Sequence, residues 1–271
     1  MKFIEPHAEI ITGLPPLQKI ALIARVCTGT QDKAESSPEA ALPFLRKLGG
    51  MGHLSPFEHA RITIPYTHRK SDEIFNDTQK SGASVALISR VYFCDDYLNI
   101  NVRDFIARGG TFEEAAQFEE ATDYFTACFT IDIGIARELV RHRTMSFMER
   151  STRWCSWSEE NGGIEFIKPE NYYENHATQT DYRHAFELAE SFYFGLLKRG
   201  VRREFARSVL PLATATKLYV TGTYWWWEAL LHLRLGKRAH PAMRRVMKML
   251  VNQAEFPNEI RGKLTAEELS A

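Results

Sequence analysis

The chain has no charge excess of either sign. Its 34 Lys and Arg residues balance 34 Asp and Glu residues, so the formal net charge is zero. This excludes a whole-chain field that would draw in a nucleic acid or an acidic membrane, and any bound anion must be held by a local cluster. Cysteine is scarce, with four in 271 residues at 27, 94, 128 and 155 and no Cys-x-x-Cys pair. That spacing argues against a disulfide framework and fits reduced thiols in a cytoplasm. Long apolar runs are also missing. The longest stretches fall far short of a membrane span and carry charges. Met1 leads into Lys2-Phe3-Ile4-Glu5-Pro6-His7 without an apolar segment or a small-residue cleavage site, so no signal peptide is expected. There is no internal repeat and no low-complexity linker.

The remaining composition, 44% hydrophobic and 25% charged, is that of a folded globular chain long enough to bury a core. Apolar residues at helical spacing predict a helix over Pro16 to Val26, with Pro15-Pro16 at its start. Ser36-Ser37-Pro38-Glu39 opens a second helix, and Gly49-Gly50 stops it. Alternation predicts strands over Ala60 to Tyr66 and Val85 to Phe93, then a turn at Asp95-Asp96 before Tyr97 to Ile100. Thr111 and Glu114 form a capping box for a helix expected to run through Ala121. Tyr124 to Ile131 reads as a strand, followed by a helix through Arg141. Helices are expected over Asp181 to Lys198, Tyr224 to Leu235 and Pro241 to Ala254, with a strand over Ala213 to Val220. Strands and helices mix along the whole length. The expectation is therefore one α+β domain over residues 1–271, a mixed or antiparallel sheet packed with helices.

The most informative segment is Arg141-His142-Arg143-Thr144-Met145-Ser146-Phe147-Met148-Glu149-Arg150-Ser151-Thr152-Arg153-Trp154. It puts four arginines within thirteen residues. A helix ending there would set Arg137 and Arg141 along one face, where cations meet the helix dipole favourably. The density exceeds what one helix end requires. Arginines this close repel unless carboxylates or an anion compensate them, and the guanidinium fork matches phosphate oxygens. A phosphorylated small molecule and a surface ion-pair network are both open on this ground. Further arginines stand at 207 and 234, while acidic residues gather elsewhere, as over Glu113 to Glu120.

Arg141-His142-Arg143, seven residues, then Ser151-Thr152-Arg153 and an aromatic resembles the signature of flavin-dependent thymidylate synthases. Three other regions agree in order: Gly52-His53-Leu54-Ser55-Pro56-Phe57-Glu58-His59; Ser89-Arg90-Val91 through Asn101-Val102-Arg103; and Ala206-Arg207-Ser208-Val209-Leu210-Pro211 followed by Leu233-Arg234-Leu235 and Ala239-His240-Pro241. A zinc reading of His53 and His59 fails on spacing and on the lack of a third ligand.

The resemblance implies reductive methylation of dUMP to dTMP. Methylenetetrahydrofolate would supply the carbon, FAD the hydride and NADPH the reducing power. It assigns Glu138, Arg141, Glu149, Arg150, Ser151, Thr152, Arg153, Arg207 and Arg234 to dUMP, with Arg207 arriving from another subunit. It assigns Arg234 the catalytic role of favouring ionisation of the uracil N3. Ser55, Arg141, His142, Arg143, Glu149, Thr223 and Trp225 would contact FAD, and no metal is expected. The family builds these sites between subunits of a homotetramer, so the expected partners are dUMP and further copies of the chain, without nucleic acid or membrane, in the cytoplasm. A related pyrimidine nucleotide hydroxymethylase, or a non-catalytic flavin- or nucleotide-binding relative, are the competing readings.

Ser151 reads as a ligand-binding hydroxyl and Cys155 as a packed, inert thiol. Three consecutive tryptophans, 225 to 227, cannot all face one core from a helix, so at least one meets an interface or a planar ligand. His232 reads as packing on its helix, and His240 as a helix N-terminal feature. Five positions depart from the family pattern: Met148, Arg150, Trp154, Trp225 and Gly236. Trp225 stands where many members carry an arginine against FAD.

Overall fold

A computed structural model describes residues 1–81, 92–93, 96–155, 157–160 and 162–270. Ten strands fall among them: β1 (Lys2–Ile4), β2 (His7–Ile11), β3 (Arg61–Pro65), β4 (Tyr92–Phe93), β5 (Tyr97–Asn101), β6 (Glu119–Glu120), β7 (Tyr124–Asp132), β8 (Ser146–Glu149), β9 (Glu165–Ile167) and β10 (Ala215–Thr223). They form a central antiparallel sheet ordered β2-β7-β10-β8, a second antiparallel sheet ordered β4-β5-β3-β6, and a parallel β1-β9 pair. The fold is thus a mixture of helices and mainly antiparallel sheet, as the sequence predicts.

The central sheet is covered on both faces, and its alternation shows how. Phe125, Ala127, Phe129 and Ile131 of β7, with Leu218 and Val220 of β10, join Trp227, Leu231, Met243 and Leu250. Those partners come from the helices Tyr224–Leu235 and Pro241–Val251. On the other face Cys128, Met148 and Tyr219 meet Ile23 and Val26 of the helix Pro16–Val26. Strand residues two apart share a face, so one strand serves two cores. A separate cluster joins that helix to the second sheet through Leu17, Ile20, Phe57, Ile62 and Phe105.

Several helices match their predicted limits because the punctuation is strong. The helix Pro38–Gly50 starts on Ser37, whose hydroxyl accepts from Ala40 N at 3.2 Å. The expected helix through Ala121 is shorter. Its capping box forms, but it spans only Phe112–Ala115. Glu119 and Glu120 instead pair with Thr63 and Ile62, and Glu120 takes the Lys19 ammonium and the Tyr124 hydroxyl. The helix after β7 ends at Leu139, before Arg141. The long helix begins at His176, five residues earlier than expected, because Asn175 Oδ1 accepts from Thr178 N at 2.8 Å. The last long helix ends at Val251. Of the strand expected over Val85 to Phe93, residues 85–91 lie outside the described residues, as do Ser89-Arg90-Val91 and Asp95. No described helix is long and apolar enough to cross a membrane.

Candidate functional site

The arginine-dense segment is mainly not helix. After the helix Ile133–Leu139 the chain turns and enters β8, which pairs antiparallel with β10 (Glu149 opposite Leu218, Ser146 opposite Thr221). Arg150 N donates to Lys217 O at 2.8 Å, so the strand's last rung fixes where the following loop begins. Ser151 to Cys155 then turn tightly, with Cys155 N donating to Ser151 O at 2.8 Å and Arg153 N to Ser151 Oγ at 3.2 Å. Strand alternation sends Met148 into the core and Glu149 toward the opposite side.

Glu149, Arg150, Ser151 and Thr152 line one cavity of about 710 Å³, together with Arg137, Glu204, Arg207 and Ser208. Arg137 comes from the helix Ile133–Leu139, which is fixed by Asp132 Oδ1 accepting from Ile135 N at 2.8 Å. Arg207 comes from the turn after the helix Arg203–Ala206, and its guanidinium donates to Thr152 Oγ1 at 2.9 Å. The sequence reading brought Arg207 in from another subunit; here it lines the cavity of its own chain. Three guanidinium groups thus face two carboxylates around a space suited to a small molecule. Burial pushes the Glu149 carboxyl up from its ordinary value, against the pull of the Thr216 hydroxyl and of Arg137. This donor set can hold a phosphate and its ester oxygens, with a titratable carboxyl beside it.

The other expected residues gather elsewhere. Arg234 Nε donates to His142 Nε2 at 2.8 Å, and its remaining nitrogens reach Glu138 Oε2 at 3.3 Å and Glu138 O at 2.9 Å. That geometry makes His142 Nε2 an acceptor, so the imidazole is neutral. Burial, then the charges of Arg234 and Arg141, lower its pKa in agreement. Glu138 lines a neighbouring cleft that shares Arg137 with the first cavity. Arg141, Arg143 and Ser55 are exposed. Arg153 leaves the first cavity, pairing through Nε with Glu204 at 3.2 Å. Thr223 is buried beside Ser146 and Trp226 in a cleft of only about 20 Å³. Trp227 is fully buried, Trp226 is partly buried and Trp225 is 68% exposed.

His53 is exposed, whereas His59 is buried with Nδ1 2.7 Å from Thr221 Oγ1, so the two do not converge. Among the described residues no group of three or more His, Cys, Asp or Glu is placed to hold a metal. Cys155 is buried against the Cys27 carbonyl at 3.3 Å. Burial pushes the Cys27 thiol up to about 11 and the Cys128 thiol to about 12. His232 lies 2.8 Å from Glu268, and His240 caps its helix by accepting from Ala242 N at 3.2 Å. Asn101 likewise caps the helix Val102–Ala107, and Arg103 pairs with Glu58.

Sequence reasoning noted Arg137 as a cation on a helix face but did not assign it, Glu204 or Ser208 to the site. Glu204 bridges Arg153 and Arg202, the latter at 3.0 Å, and the dense Arg202-Arg203-Glu204 run was the available signal.

Residues 78–258 match the family model described as thymidylate synthase complementing protein. The flavin-dependent thymidylate synthases of Pyrococcus abyssi and Pyrococcus furiosus are each 30% identical over 147 residues, covering 53% of this chain and 60% of theirs. The chain's match thus spans about 60% of the length of those relatives. A probable flavin-dependent thymidylate synthase of Paramecium bursaria Chlorella virus 1 is 29% identical over 156 residues, covering 49% of this chain and 69% of that one. Among solved structures, the UMP/dUMP methylase PolB from Streptomyces cacaoi, bound with 5-Br dUMP, aligns at 20% identity and a TM-score of 0.46, covering 100% of this chain and 96% of that one.

Proposed function

The chain belongs to the thymidylate synthase complementing protein family, and from that premise we propose that it methylates dUMP at uracil C5 to give dTMP, with methylenetetrahydrofolate, FAD and NADPH. The observation that carries this reading is the cavity in which Arg137, Arg150 and Arg207 surround Glu149, Ser151 and Thr152. A 5′-phosphate would draw on the guanidinium forks and the two hydroxyls. Glu149, at the end of a strand and with its carboxyl pKa raised by burial, would orient the nucleotide.

Arg234 does not line this cavity, and its guanidinium is held by Glu138 and His142. In the proposed homotetramer a second chain presents that cluster. The neutral His142 orients Arg234, whose charge would favour the N3-ionised uracil. FAD, when bound, would pass hydride equivalents from NADPH to the incoming carbon. The donor set fits it: Arg141 and Arg143 are exposed cations suited to its diphosphate, beside the neutral imidazole of His142. Ser55, Thr223 and Trp225 would complete the flavin contacts. The Thr223 cleft is too small to enclose a flavin ring, which suits a cofactor shared between chains.

The departures do not favour the hydroxymethylase reading. Met148 faces the core, with Cys27 Sγ 3.0 Å from its sulfur, and Trp154 lies outside the first cavity. The deciding experiment is dUMP-dependent NADPH oxidation by the yellow, FAD-loaded protein, with the product identified by mass. A dTMP product is expected. A 5-hydroxymethyl product, or a colourless protein that FAD does not reconstitute, would overturn the reading.

A further inference from the structure

Beside the first cavity lies a second cleft of about 600 Å³, lined by Arg153, Trp154, Trp157, Arg202, Arg203 and Glu204 among others. It holds three guanidinium groups and one carboxylate. That carboxylate is shared, because Glu204 pairs with Arg153 and Arg202 here and also lines the first cavity. Arg203 donates to the Trp154 carbonyl at 3.2 Å and so holds the loop that carries the indole. Trp154 is 63% exposed, with the Arg153 guanidinium 5.5 Å from its ring centre. An open indole beside cations is a platform for a flat, anionic group.

Buried polar atoms at the two cavities add a second observation. Arg150, which lines the first cavity, and Trp157, which lines the second, have a buried Nε and Nε1 without a hydrogen-bond partner among the described residues, as does the hydroxyl of Tyr193 packed against Trp157. Trp157 is 7% exposed and Tyr193 fully buried. They form one seam, with the Arg150 guanidinium 5.4 Å from the Trp157 ring centre and the Trp157 and Tyr193 rings meeting edge-on at 5.8 Å. Buried donors left without acceptors are costly, and an oxygen-rich ligand or the water it orders would satisfy them.

We propose that this cleft is a second ligand site, for a small molecule that joins a planar ring to clustered anionic oxygens. The ring lies on Trp154 and the oxygens meet Arg153, Arg202 and Arg203. Such oxygens draw two arginines away from Glu204, whose carboxylate then faces the first cavity less compensated. Occupancy of the second site therefore weakens anion binding in the first, and the effect is reciprocal.

Calorimetry on the full chain tests this with two probes that separate the sources of such oxygens: thymidine triphosphate for phosphates and a folyl triglutamate for carboxylates. Each is titrated alone and with saturating dUMP. One probe is expected to bind beside dUMP and to weaken it without displacing it fully. Trp154→Ala and Arg202→Gln change exposed side chains outside the first cavity. Each is expected to weaken that probe about tenfold while dUMP still binds. Binding of neither probe, full displacement by dUMP, or undiminished binding by both variants would overturn the proposal. The reading of the first cavity fails separately, by dUMP not binding the unmodified chain.

Discussion

Glu149 concentrates the conflict between stability and use. Its carboxyl is partly buried at the cavity and its pKa is raised. A carboxyl raised on folding is penalised once it ionises. The penalty is absent below the unfolded value near 4.5 and grows as pH rises through the folded value. Glu149→Gln is therefore expected to raise the melting temperature at pH 7. The gain over the unmodified chain should shrink as the pH falls toward 4.5, and turnover with dUMP should drop. A gain that does not vary with pH would show that ionisation of this carboxyl is not its source. Arg207 offers the complementary case. Its guanidinium donates to Thr152 Oγ1 at the cavity, so Arg207→Ala removes a charged donor from the site. The expected result is a rise in the dUMP dissociation constant of tenfold or more, from loss of about 1.5–3 kcal/mol, with melting nearly unchanged. Equal loss of stability and affinity would make the residue structural.

At the scale of elements, the site depends on how strands and caps end. β8 is only four residues long, and its pairing with β10 decides that Glu149 and not Met148 reaches the cavity. A one-residue slip would exchange them. The long helix His176–Lys198 carries Tyr193, which packs on Trp157 of the second cleft, and its start is fixed by Asn175. Asn175→Ala is expected to cost about 1 kcal/mol of stability, read by denaturant unfolding, because one cap acceptor is lost. A packing test lies away from the site. A Cβ built on Gly110 would strike the ring of Phe105, which is fully buried. Gly110→Ala should therefore destabilise by about 1–3 kcal/mol through overpacking, again by denaturant unfolding, with dUMP affinity retained. A neutral result would mean that the loop after the helix Val102–Ala107 yields freely.

On the scale of the whole molecule, the candidate residues divide into two groups. One surrounds Glu149 and Arg207, and the other surrounds Arg234, His142 and Glu138. If active sites form between chains, Arg207→Ala and Arg234→Ala proteins, each impaired alone, will recover dTMP formation at low dUMP when mixed and reassembled. Failure to recover would place both residues in one chain's site. Arg234→Ala is also expected to lower turnover more than FAD binding, and equal loss would remove its assignment to uracil.

The sequence by itself determined the helices whose ends carry Pro, Ser, Asn or Gly signals, the long strands β7 and β10, and the local arginine excess within a neutral chain. These are legible because caps, periodicity and charge act over a few neighbouring residues. It did not reveal β8 within the arginine-rich segment, because a four-residue strand has no period of its own and exists only where β10 offers a partner. Nor did it reveal that Glu119 and Glu120 leave the helical pattern, which Lys19, Tyr124 and β3 jointly require. The tertiary structure alone decided which arginines share a space. It set Arg137, Arg150 and Arg207 around one cavity, sent Arg153 to Glu204, and locked Arg234 onto Glu138. The reason is that a guanidinium goes to the nearest carboxylate or acceptor in three dimensions, and sequence spacing does not encode that distance.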